Sequence, residues 1–319
     1  MKVLLLGANG FIGSKLLALL LGKHIDVKIL TRRNSGKTLP LVEVVVGDLT
    51  DPDFSFESLV RGCDVIFNCA GEIKSESLME GLHVGATRKL ISAVYEVASP
   101  LTPIHWVQLS SVGAYGAAGG VNRMVTETSP LNPSGMYETT KTEADLLIMN
   151  EASGRNSSLS WTIVRPSNVF GPCMPNGSLR QLSAIVRKRL FFYIGYSPAI
   201  ATYVHVDDVV ALLELCGFDP RAKKQVFNIS NDCPLKEVID GIAHAISVPE
   251  PKLKVPEWLV RLIVVLVPDF ITIPITQQRI DALVARTTYP SAKVKSVLGF
   301  VPKKRISEHI SDVFQIPEP

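Results

Sequence analysis

Cysteine is scarce in this chain, and its spacing argues against both a disulfide framework and a common metal site. The only five are Cys63, Cys69, Cys173, Cys216 and Cys233, and no two of them form a C-x-x-C pair. Five is an odd number, and clustered zinc sites need closely spaced ligands. We therefore expect no metal site and a protein of a reducing compartment, the cytoplasm.

The chain also has almost no excess of charge of one sign. The formal net charge is +3, and basic residues cluster only at 187–189 and 303–305. Both clusters are typical of solvated helix ends or loops. The composition therefore excludes nucleic acid as an expected partner.

The chain has no apolar run long enough to cross a bilayer. The longest, "WLVRLIVVLV" (258–267), carries Arg261 and is half the ~20 residues that a spanning helix needs. We expect no membrane span and interpret this segment as a buried helix, with contact to a membrane surface as the alternative.

What is present is enough apolar sequence for a large core: 46% of 319 residues are hydrophobic and 20% are charged. Six runs rich in Val, Ile and Leu show little alternation, which is typical of strands buried on both faces of a parallel sheet. They are "KVLLLG" (2–7), "DVKIL" (26–30), "VEVVVG" (42–47), "DVIFNCA" (64–70), "IHWVQLSS" (104–111) and "SWTIVRP" (160–166).

Helical patterns lie between these strands, at 11–21, 55–62, 83–98 and 136–152. This alternation predicts an α/β fold with a Rossmann-type doubly wound parallel sheet. We expect residues 1–170 to form the dinucleotide-binding domain, with 225–230 adding a strand. Residues 171–319, where prolines become frequent, are expected to form mainly a smaller substrate-binding lobe.

The stretch "GANGFIG" (7–13) follows the first strand and opens the first helix. Glycines there allow a tight turn and let backbone N–H groups approach a pyrophosphate at the positive end of the helix. We predict that this loop binds a dinucleotide through Gly7, Asn9, Gly10, Phe11, Ile12 and Gly13.

The second strand ends in "ILTRR", without the acidic residue that would bind the adenosine ribose. An arginine can pair with a 2′-phosphate, so Arg32 and Arg33 favour NADP(H) over NAD(H). The alternative is that both arginines point into water.

The ends of the third and fourth strands supply further cofactor candidates. Asp48, followed by Leu49, could accept a hydrogen bond from the adenine amino group or could cap the next helix. Cys69, Ala70 and Gly71 are small residues where bulk would clash with a cofactor. Ligands bind at this edge of doubly wound sheets.

The stretch "MYETTK" (136–141) places Tyr137 and Lys141 one helical turn apart. An ammonium beside a phenol favours the phenolate, and tyrosine is a poor base at its ordinary pKa near ~10. The pair is therefore a candidate for proton transfer.

Together these motifs resemble the extended branch of the short-chain dehydrogenase/reductase superfamily, the NAD-dependent epimerase/dehydratase family that modifies nucleotide sugars. The resemblance runs through "LSSVGAYG" (109–116), "YETTK" (137–141), "VRPSNVFGP" (164–172), "YVHVDDV" (203–209) and "YPSAKVKSVLGFVP" (289–302). It implies catalysis by Ser111, Tyr137 and Lys141, with Ser110 facing the other side of its strand. It also implies that Pro166 passes the nicotinamide and that Asn168 contacts substrate.

Three positions depart from the family pattern. The acidic pair of dehydratases is replaced by Val112 and Gly113, which argues against 4,6-dehydration. A common asparagine is His83, and an arginine found before "YVHVDD" is Ala201. Diphosphate contacts would then fall to Arg187, Arg279 or Arg286.

The resemblance implies a reductase of a nucleotide-diphosphate keto-sugar, with a nucleotide-sugar 4-epimerase carrying tightly bound NAD as the alternative. An enzyme like 3β-hydroxysteroid dehydrogenase and a non-catalytic redox-sensing binding protein are further alternatives. The family usually forms homodimers through helices that flank the sheet, so we expect a homodimer.

Overall fold

The apolar runs of the first half form one parallel sheet in the computed structural model, which describes residues 1–33, 39–117, 122–154, 158–266 and 276–315. Its seven strands have the order β12-β7-β5-β4-β1-β2-β3, and every neighbouring pair is parallel. The strands are β1 (Lys2–Leu6), β2 (Asp26–Thr31), β3 (Val42–Val46), β4 (Val65–Asn68), β5 (Ile104–Leu109), β7 (Leu159–Pro166) and β12 (Gln225–Ile229). The predicted Rossmann-type sheet is confirmed, and Gln225–Ile229 adds the expected extra strand.

One strand prediction was wrong in its burial. The run at 42–47 was expected to be buried on both faces, but β3 is the edge strand and its Val44 and Val46 are exposed. Its β-branched residues suit the extended backbone, while no neighbouring strand or helix covers its outer side. An apolar run can therefore mark a strand without marking burial.

Helices cover both faces of the sheet. On one face α1 (Phe11–Gly22) and α7 (Val206–Phe218) pack together over β1, β4 and β5. On the other lie α2 (Phe56–Val60), α4 (Ala86–Val97) and α5 (Met136–Gly154). Before α4 the chain runs through α3 (Glu76–Met79) and a π-helical turn, Glu80–Gly85. The predicted helix at 83–98 therefore begins with wider turns, and His83 lies in them.

A third cluster of apolar residues lies outside the sheet and is built by the second half of the chain. Helices α6 (Ser178–Arg187), α8 (Leu235–Ala245) and α12 (Ile306–His309) contribute to this cluster. The second half of the chain also forms α9 (Glu257–Leu266) and α10 (Gln277–Val284), which pack on each other, and α11 (Ala292–Leu298), which packs on the sheet. The short strands among the described residues are β6 (Arg123–Met124), β8 (Asn168–Phe170), β9 (Tyr193–Ile194), β10 (Ile200–Ala201), β11 (Tyr203–His205), β13 (Cys233–Pro234), β14 (Lys254–Val255) and β15 (Thr287–Thr288). They pair two by two, and the pairs β8–β11 and β6–β15 join the two halves of the chain.

The apolar segment at 258–267 forms α9 but is not the buried helix that was expected. Among its described residues only Val260 is fully buried, whereas Trp258, Leu262, Ile263, Val265 and Leu266 are exposed. Val267 lies outside the described residues. Within the described part of the chain no helix has the length and apolarity to cross a membrane.

Candidate active site

The glycine loop turns the chain sharply from β1 into α1. Gly7 has a positive φ of 76°, and a Cβ there would lie 2.6 Å from the carbonyl oxygen of Cys69. A Cβ on Gly13 would collide with the carbonyl group of Gly7. Helix α1 has no side-chain cap and no acidic residue in its first turn. The free backbone N–H groups of its first turn are therefore available to bind an anion at the end of the loop.

A cleft of about 460 Å³ opens above this loop at the carboxyl ends of β1, β2, β3 and β4. We call it the nucleotide cleft, after the ligand that the sequence predicts for it. Of the predicted cofactor residues, it is lined by Gly7, Asn9, Gly10, Arg32, Asp48, Leu49, Cys69, Ala70 and Gly71. Phe11, Ile12, Gly13, Arg33, Pro166, Tyr137 and Lys141 do not line it. The side chains of Phe11 and Ile12 instead pack against the core, so that only the backbone N–H groups of these residues can bind an anion.

The end of β2 is organised by hydroxyl and amide groups rather than by a carboxylate. Asn9 donates its Nδ2–H to Thr31 Oγ1 at 3.3 Å, and Thr31 Oγ1 donates to the carbonyl of Arg33 at 2.9 Å. Both arginines are exposed, but only Arg32 lines the cleft. Arg32 is thus the cation placed beside the adenosine end of the cleft.

Asp48 lines the same cleft as Arg32, and its carboxylate is fixed by hydrogen bonds within the turn that follows β3. Its Oδ1 accepts hydrogen bonds from the backbone N–H and the hydroxyl of Thr50, at 2.9 and 2.8 Å. These bonds, with a smaller contribution from Arg32, lower the pKa of the Asp48 carboxyl. Asp48 does not cap α2, because the cap is Ser55, whose side chain accepts from the backbone N–H of Ser58. The capping alternative for Asp48 was therefore wrong.

Lys141 is the most unusual charge in the chain. It is only 4% exposed, yet its ammonium makes no hydrogen bond with any residue that the structure describes. Burial lowers the pKa of Lys141, and this is partly offset by Asp145 and Cys69. Buried ammonium groups need partners. Cys69 lines the nucleotide cleft, so Lys141 lies close to that cleft without lining it.

Beneath Lys141 lies a buried ion pair that the sequence interpretation missed. Asp145, one turn further along α5, accepts hydrogen bonds from Arg165 Nε and Nη2 at 3.1 and 3.0 Å and from Ser110 Oγ at 2.6 Å. Ser110 thus faces away from Ser111, as predicted. Spacing of four residues in α5 could have signalled Asp145, because residues 137, 141 and 145 share one helix face.

Tyr115 belongs to the same network. Its hydroxyl accepts from Arg165 Nη1 at 3.0 Å and donates to Asn228 Oδ1 at 2.9 Å, and its ring packs against the guanidinium. The residue is fully buried. It therefore supports the fold below the site and does not reach a ligand.

Tyr137 keeps its proton in this structure. Burial, with smaller effects from the carboxylates of Glu138 and Asp145, raises the pKa of its phenol to about 12. The expectation that Lys141 brings this pKa down was wrong, because desolvation and the two carboxylates dominate. The phenol is consequently protonated at neutral pH.

His83, in the π-helical turn, fills the place of the family's asparagine and has both nitrogens engaged. Its Nε2 accepts the backbone N–H of Glu72 at 3.0 Å, so Nδ1 carries the proton and donates to Thr140 Oγ1 at 2.8 Å. Its ring meets the Tyr137 ring edge-on at 5.7 Å. Burial, with a smaller effect from Lys141, lowers the pKa of His83 to about 4. The imidazole is therefore neutral and links the nucleotide cleft to the start of α5.

Ser111 lines a second cleft, with a volume of about 270 Å³. It caps a 3₁₀ turn (Val112–Tyr115), and its Oγ accepts the backbone N–H of Gly113 at 3.0 Å, which leaves its own O–H free to donate. The cleft is lined by Ser111, Val112, Gly113, Gly116, Ala117, Ser134, Glu138, Ser167, Asn168, Thr202 and Tyr289. Asn168, a predicted substrate contact, thus lies beside Ser111.

Glu138 brings a carboxylate into this second cleft, which sequence reasoning did not foresee. A Cβ on Gly113 would lie 3.6 Å from Glu138 Oε1 and 3.3 Å from Ser111 Oγ. The carboxylate makes no hydrogen bond with the described residues. Glu138 follows Tyr137 directly, so the start of α5 faces both clefts: Lys141 toward Cys69, and Glu138 toward Ser111.

The other predicted substrate residues, and the predicted nicotinamide residue Pro166, line neither cleft. Arg187 ends α6 in solvent, and Arg279 donates from Nη2 to Gln181 Oε1 at 2.9 Å. Arg286 is half-buried, and its carbonyl accepts the backbone N–H of Arg123. Pro166 is buried at the end of β7, in register with Ile229. None of the four lines either cleft.

Comparison with known proteins decides the family. Residues 3–230 match the model of the NAD-dependent epimerase/dehydratase family. The chain belongs to that family. The match covers the glycine loop, the Ser111 strand and the Tyr137–Lys141 turn, and the fold of this family is the seven-stranded Rossmann-type sheet described above.

Similar proteins differ widely in the reactions for which they are named. The chain is 23% identical to mouse sterol-4-alpha-carboxylate 3-dehydrogenase (decarboxylating), over 98% of this chain and 90% of that protein. It is 28% identical to UDP-glucose 4-epimerase of Mycolicibacterium smegmatis, over 80% and 86%. The solved structure of MoeE5 with UDP-glucose and NAD has 23% identity, a TM-score of 0.73 and coverage of 98% and 97%, which shows the shared fold.

Proposed function

We propose that this family member is an NAD(P)-dependent oxidoreductase that interconverts a ketone and a secondary alcohol, acting as a reductase. The observation that carries the proposal is Lys141, which is only 4% exposed, has no hydrogen-bond partner among the described residues and follows Tyr137 by one turn of α5. A redox-sensing binding protein would not need this arrangement next to Ser111.

Each residue of the triad has a role that its surroundings support. Ser111 donates its free O–H to the carbonyl oxygen of the substrate, and Tyr137 delivers the phenolic proton to that oxygen. Lys141 holds ribose hydroxyls and, once the proton has left, stabilises the phenolate. The nicotinamide would supply the hydride. A tyrosine that retains its proton at neutral pH suits reduction.

For the substrate we propose the ring of a keto-sugar carried on a nucleotide diphosphate. The cleft beside Ser111 is rich in hydrogen-bonding side chains, namely Ser134, Ser167, Asn168, Thr202 and Tyr289, which suit a ring with several hydroxyl groups. The MoeE5 structure, which contains UDP-glucose, supports this choice by analogy of fold. The 4-epimerase reaction would use the same residues with tightly held NAD.

A second candidate substrate is an apolar ketone such as a 3-keto sterol. It is favoured by one observation: among the described residues, those lining the Ser111 cleft include no lysine or arginine to bind a diphosphate. The mouse relative named for a sterol substrate is consistent with it.

We propose NADP(H) as the preferred cofactor. Arg32 lines the adenosine end of the nucleotide cleft, and no acidic residue ends β2 to repel a 2′-phosphate. The test is a comparison of the dissociation constants of NADPH and NADH by fluorescence titration. A clear preference for NADH would contradict the proposal.

Two further expectations stay proposals: a homodimer and a cytoplasmic location. All five cysteines are free thiols, which suits a reducing compartment. Light scattering of the purified protein would test the homodimer, and a monomeric mass would contradict it.

The function is tested by following NADPH absorbance with a panel of ketones. The panel contains a UDP-linked 4-keto-sugar, the corresponding free keto-sugar and a 3-keto sterol, and Ser111→Ala is the inactive control. Consumption of one NADPH per nucleotide keto-sugar supports the keto-sugar reductase. Turnover of the sterol alone supports the second candidate. Interconversion of UDP-glucose and UDP-galactose without net NADPH consumption would contradict both.

A further inference from the structure

Glu138 supplies the only carboxylate among the described residues that line the Ser111 cleft. Its side chain is half-buried and lies beside two glycines, Gly113 and Gly135. A Cβ on Gly113 would lie 2.6 Å from Glu138 Cγ, and a Cβ on Gly135 would lie 2.9 Å from Glu138 Oε2. A side chain at either position would displace the carboxylate, so the two glycines leave the space that it occupies.

The Glu138 carboxylate has no structural partner that accounts for its position. It lies in the first turn of α5, where an acidic side chain can bind free backbone N–H groups. Neither of its oxygens, however, accepts a hydrogen bond from a residue that the structure describes. Both oxygens are therefore available to accept hydrogen bonds from a ligand in the cleft.

The hydroxyl of Ser111 and the carboxylate of Glu138 are close enough to contact neighbouring atoms of one ligand. A Cβ on Gly113 would lie 3.3 Å from Ser111 Oγ and 3.6 Å from Glu138 Oε1, so these two oxygens are at most about 7 Å apart. Two hydrogen bonds of about 2.7 Å each span most of that distance. The two ligand oxygens that make them can therefore belong to adjacent carbon atoms.

From this geometry we propose that Glu138 determines specificity: it accepts a hydrogen bond from a hydroxyl group on the carbon next to the carbonyl that is reduced, and it excludes substrates with a carboxylate on that carbon. The inference rests on the proposed reduction at Ser111. Ser111 donates its O–H to the ketone oxygen, whereas a carboxylate only accepts. An α-hydroxy ketone, the grouping present in keto-sugars, matches this pair of one donor and one acceptor.

A negative charge on the substrate would be unfavourable beside Glu138. After burial, the Glu138 carboxylate is the strongest influence that raises the pKa of Tyr137, so its charge acts on the proposed proton donor. A substrate carboxylate would meet this charge without a lysine or arginine among the described lining residues to offset it. At the effective dielectric constant of a partly buried site, the repulsion should weaken binding at least about tenfold.

The test uses three ring compounds that differ at one carbon. Beside a hydroxyl group at the reacting position, trans-1,2-cyclohexanediol carries a second hydroxyl, cyclohexanol a hydrogen and trans-2-hydroxycyclohexane-1-carboxylate a carboxylate. Their dissociation constants from the full chain saturated with NADPH, a complex in which an alcohol cannot react, are measured by ligand-observed NMR titration. We expect the diol to bind about 10- to 100-fold more tightly than cyclohexanol, and at least about tenfold more tightly than the carboxylate. The kcat/KM values for 2-hydroxycyclohexanone and cyclohexanone should differ in the same direction.

Two variants separate the acceptor from the charge. Glu138→Met removes both with little change in size, so the diol should lose its 10- to 100-fold advantage, on the order of the whole effect, over cyclohexanol. Glu138→Gln removes only the charge, so part of that advantage should remain, while the carboxylate compound should bind at least about tenfold more tightly than to the unchanged chain. Glu143→Gln, at an exposed position of α5, is the matched control and should leave every ratio unchanged. Circular dichroism and NADPH titration check that each variant is folded.

Equal affinity of the unchanged chain for the diol and cyclohexanol would overturn the proposal. The same ratios in both Glu138 variants as in the unchanged chain would also overturn it, and with a loss of stability they would make Glu138 a helix-stabilising residue only. Failure of the proposed function has a different signature, namely no NADPH oxidation with any ketone. The binding ratios need no turnover, so they decide the role of Glu138 in that case too.

Discussion

Protonation of His83 is the perturbation whose size the structure specifies most directly. The folded protein needs the neutral imidazole, since Nε2 must accept the N–H of Glu72 while Nδ1 donates to Thr140. A second proton on Nε2 would break the bond to Glu72 and place a cation near Lys141. Acidification should therefore disturb the junction between the nucleotide cleft and Tyr137.

The magnitude follows from the two pKa values of His83. The unfolded chain binds the proton near the ordinary value of ~6.5, and the folded protein only at about 4. The stabilisation is thus complete above pH 6.5 and is lost as the pH falls toward 4. Between pH 7 and pH 5 the free energy of unfolding should fall by about 2 kcal/mol through this group.

The assay is urea unfolding at pH 7 and pH 5, comparing the unchanged chain with His83→Asn. The variant should lose about 2 kcal/mol less than the unchanged chain between the two values. His105→Asn is the matched control, because burial also lowers the pKa of His105 to about 4 far from Tyr137. Both variants should reduce the pH dependence, but only the His83 variant should change kcat. An unaltered pH dependence in His83→Asn would refute the reasoning.

Two further changes test the cofactor end and the ion pair below the site. Arg32→Glu should raise the dissociation constant of NADPH about 10- to 100-fold, because a charge-assisted bond to the 2′-phosphate is lost. The dissociation constant of NADH should change little. Arg33→Glu should have a smaller effect on NADPH binding, because Arg33 does not line the cleft. Calorimetric titration measures both, and equal effects on NADPH and NADH would contradict the assignment of Arg32. Asp145→Asn leaves the Arg165 guanidinium buried without its carboxylate and should lower the free energy of unfolding by about 3–5 kcal/mol. Urea unfolding measures this loss, Glu143→Gln on the exposed side of α5 is the control, and equal stabilities would refute the role of the pair.

The fold could be predicted because each strand's local pattern agrees with its global position. Buried parallel strands such as β1 and β4 are uniformly apolar, and the glycine loop marks where the first strand turns into α1. The same reasoning failed at β3 and α9, whose apolar residues are partly exposed. Apolar composition reports the propensity for a strand or a helix, but what covers it is decided by distant segments.

The candidate site divides in the same way. Ser111, Tyr137 and Lys141 could be proposed as catalytic because short motifs carry them, and their roles stay predictions. Asp145 and Arg165 pair across 20 residues and have no motif. The raised pKa of Tyr137 could not be foreseen, since burial and two carboxylates outweigh the lysine. Glu138 gained its position because Gly113 has no side chain to occupy that space.

The central claim is that Tyr137 donates the proton in a reduction driven by NADPH. Stopped-flow measurement of NADPH oxidation by Tyr137→Phe, with the ketone that the unchanged enzyme reduces, tests it most directly. We expect the single-turnover rate of this variant to be about 10²- to 10⁴-fold lower than that of the unchanged enzyme, with NADPH bound equally tightly. A rate close to that of the unchanged enzyme would contradict it.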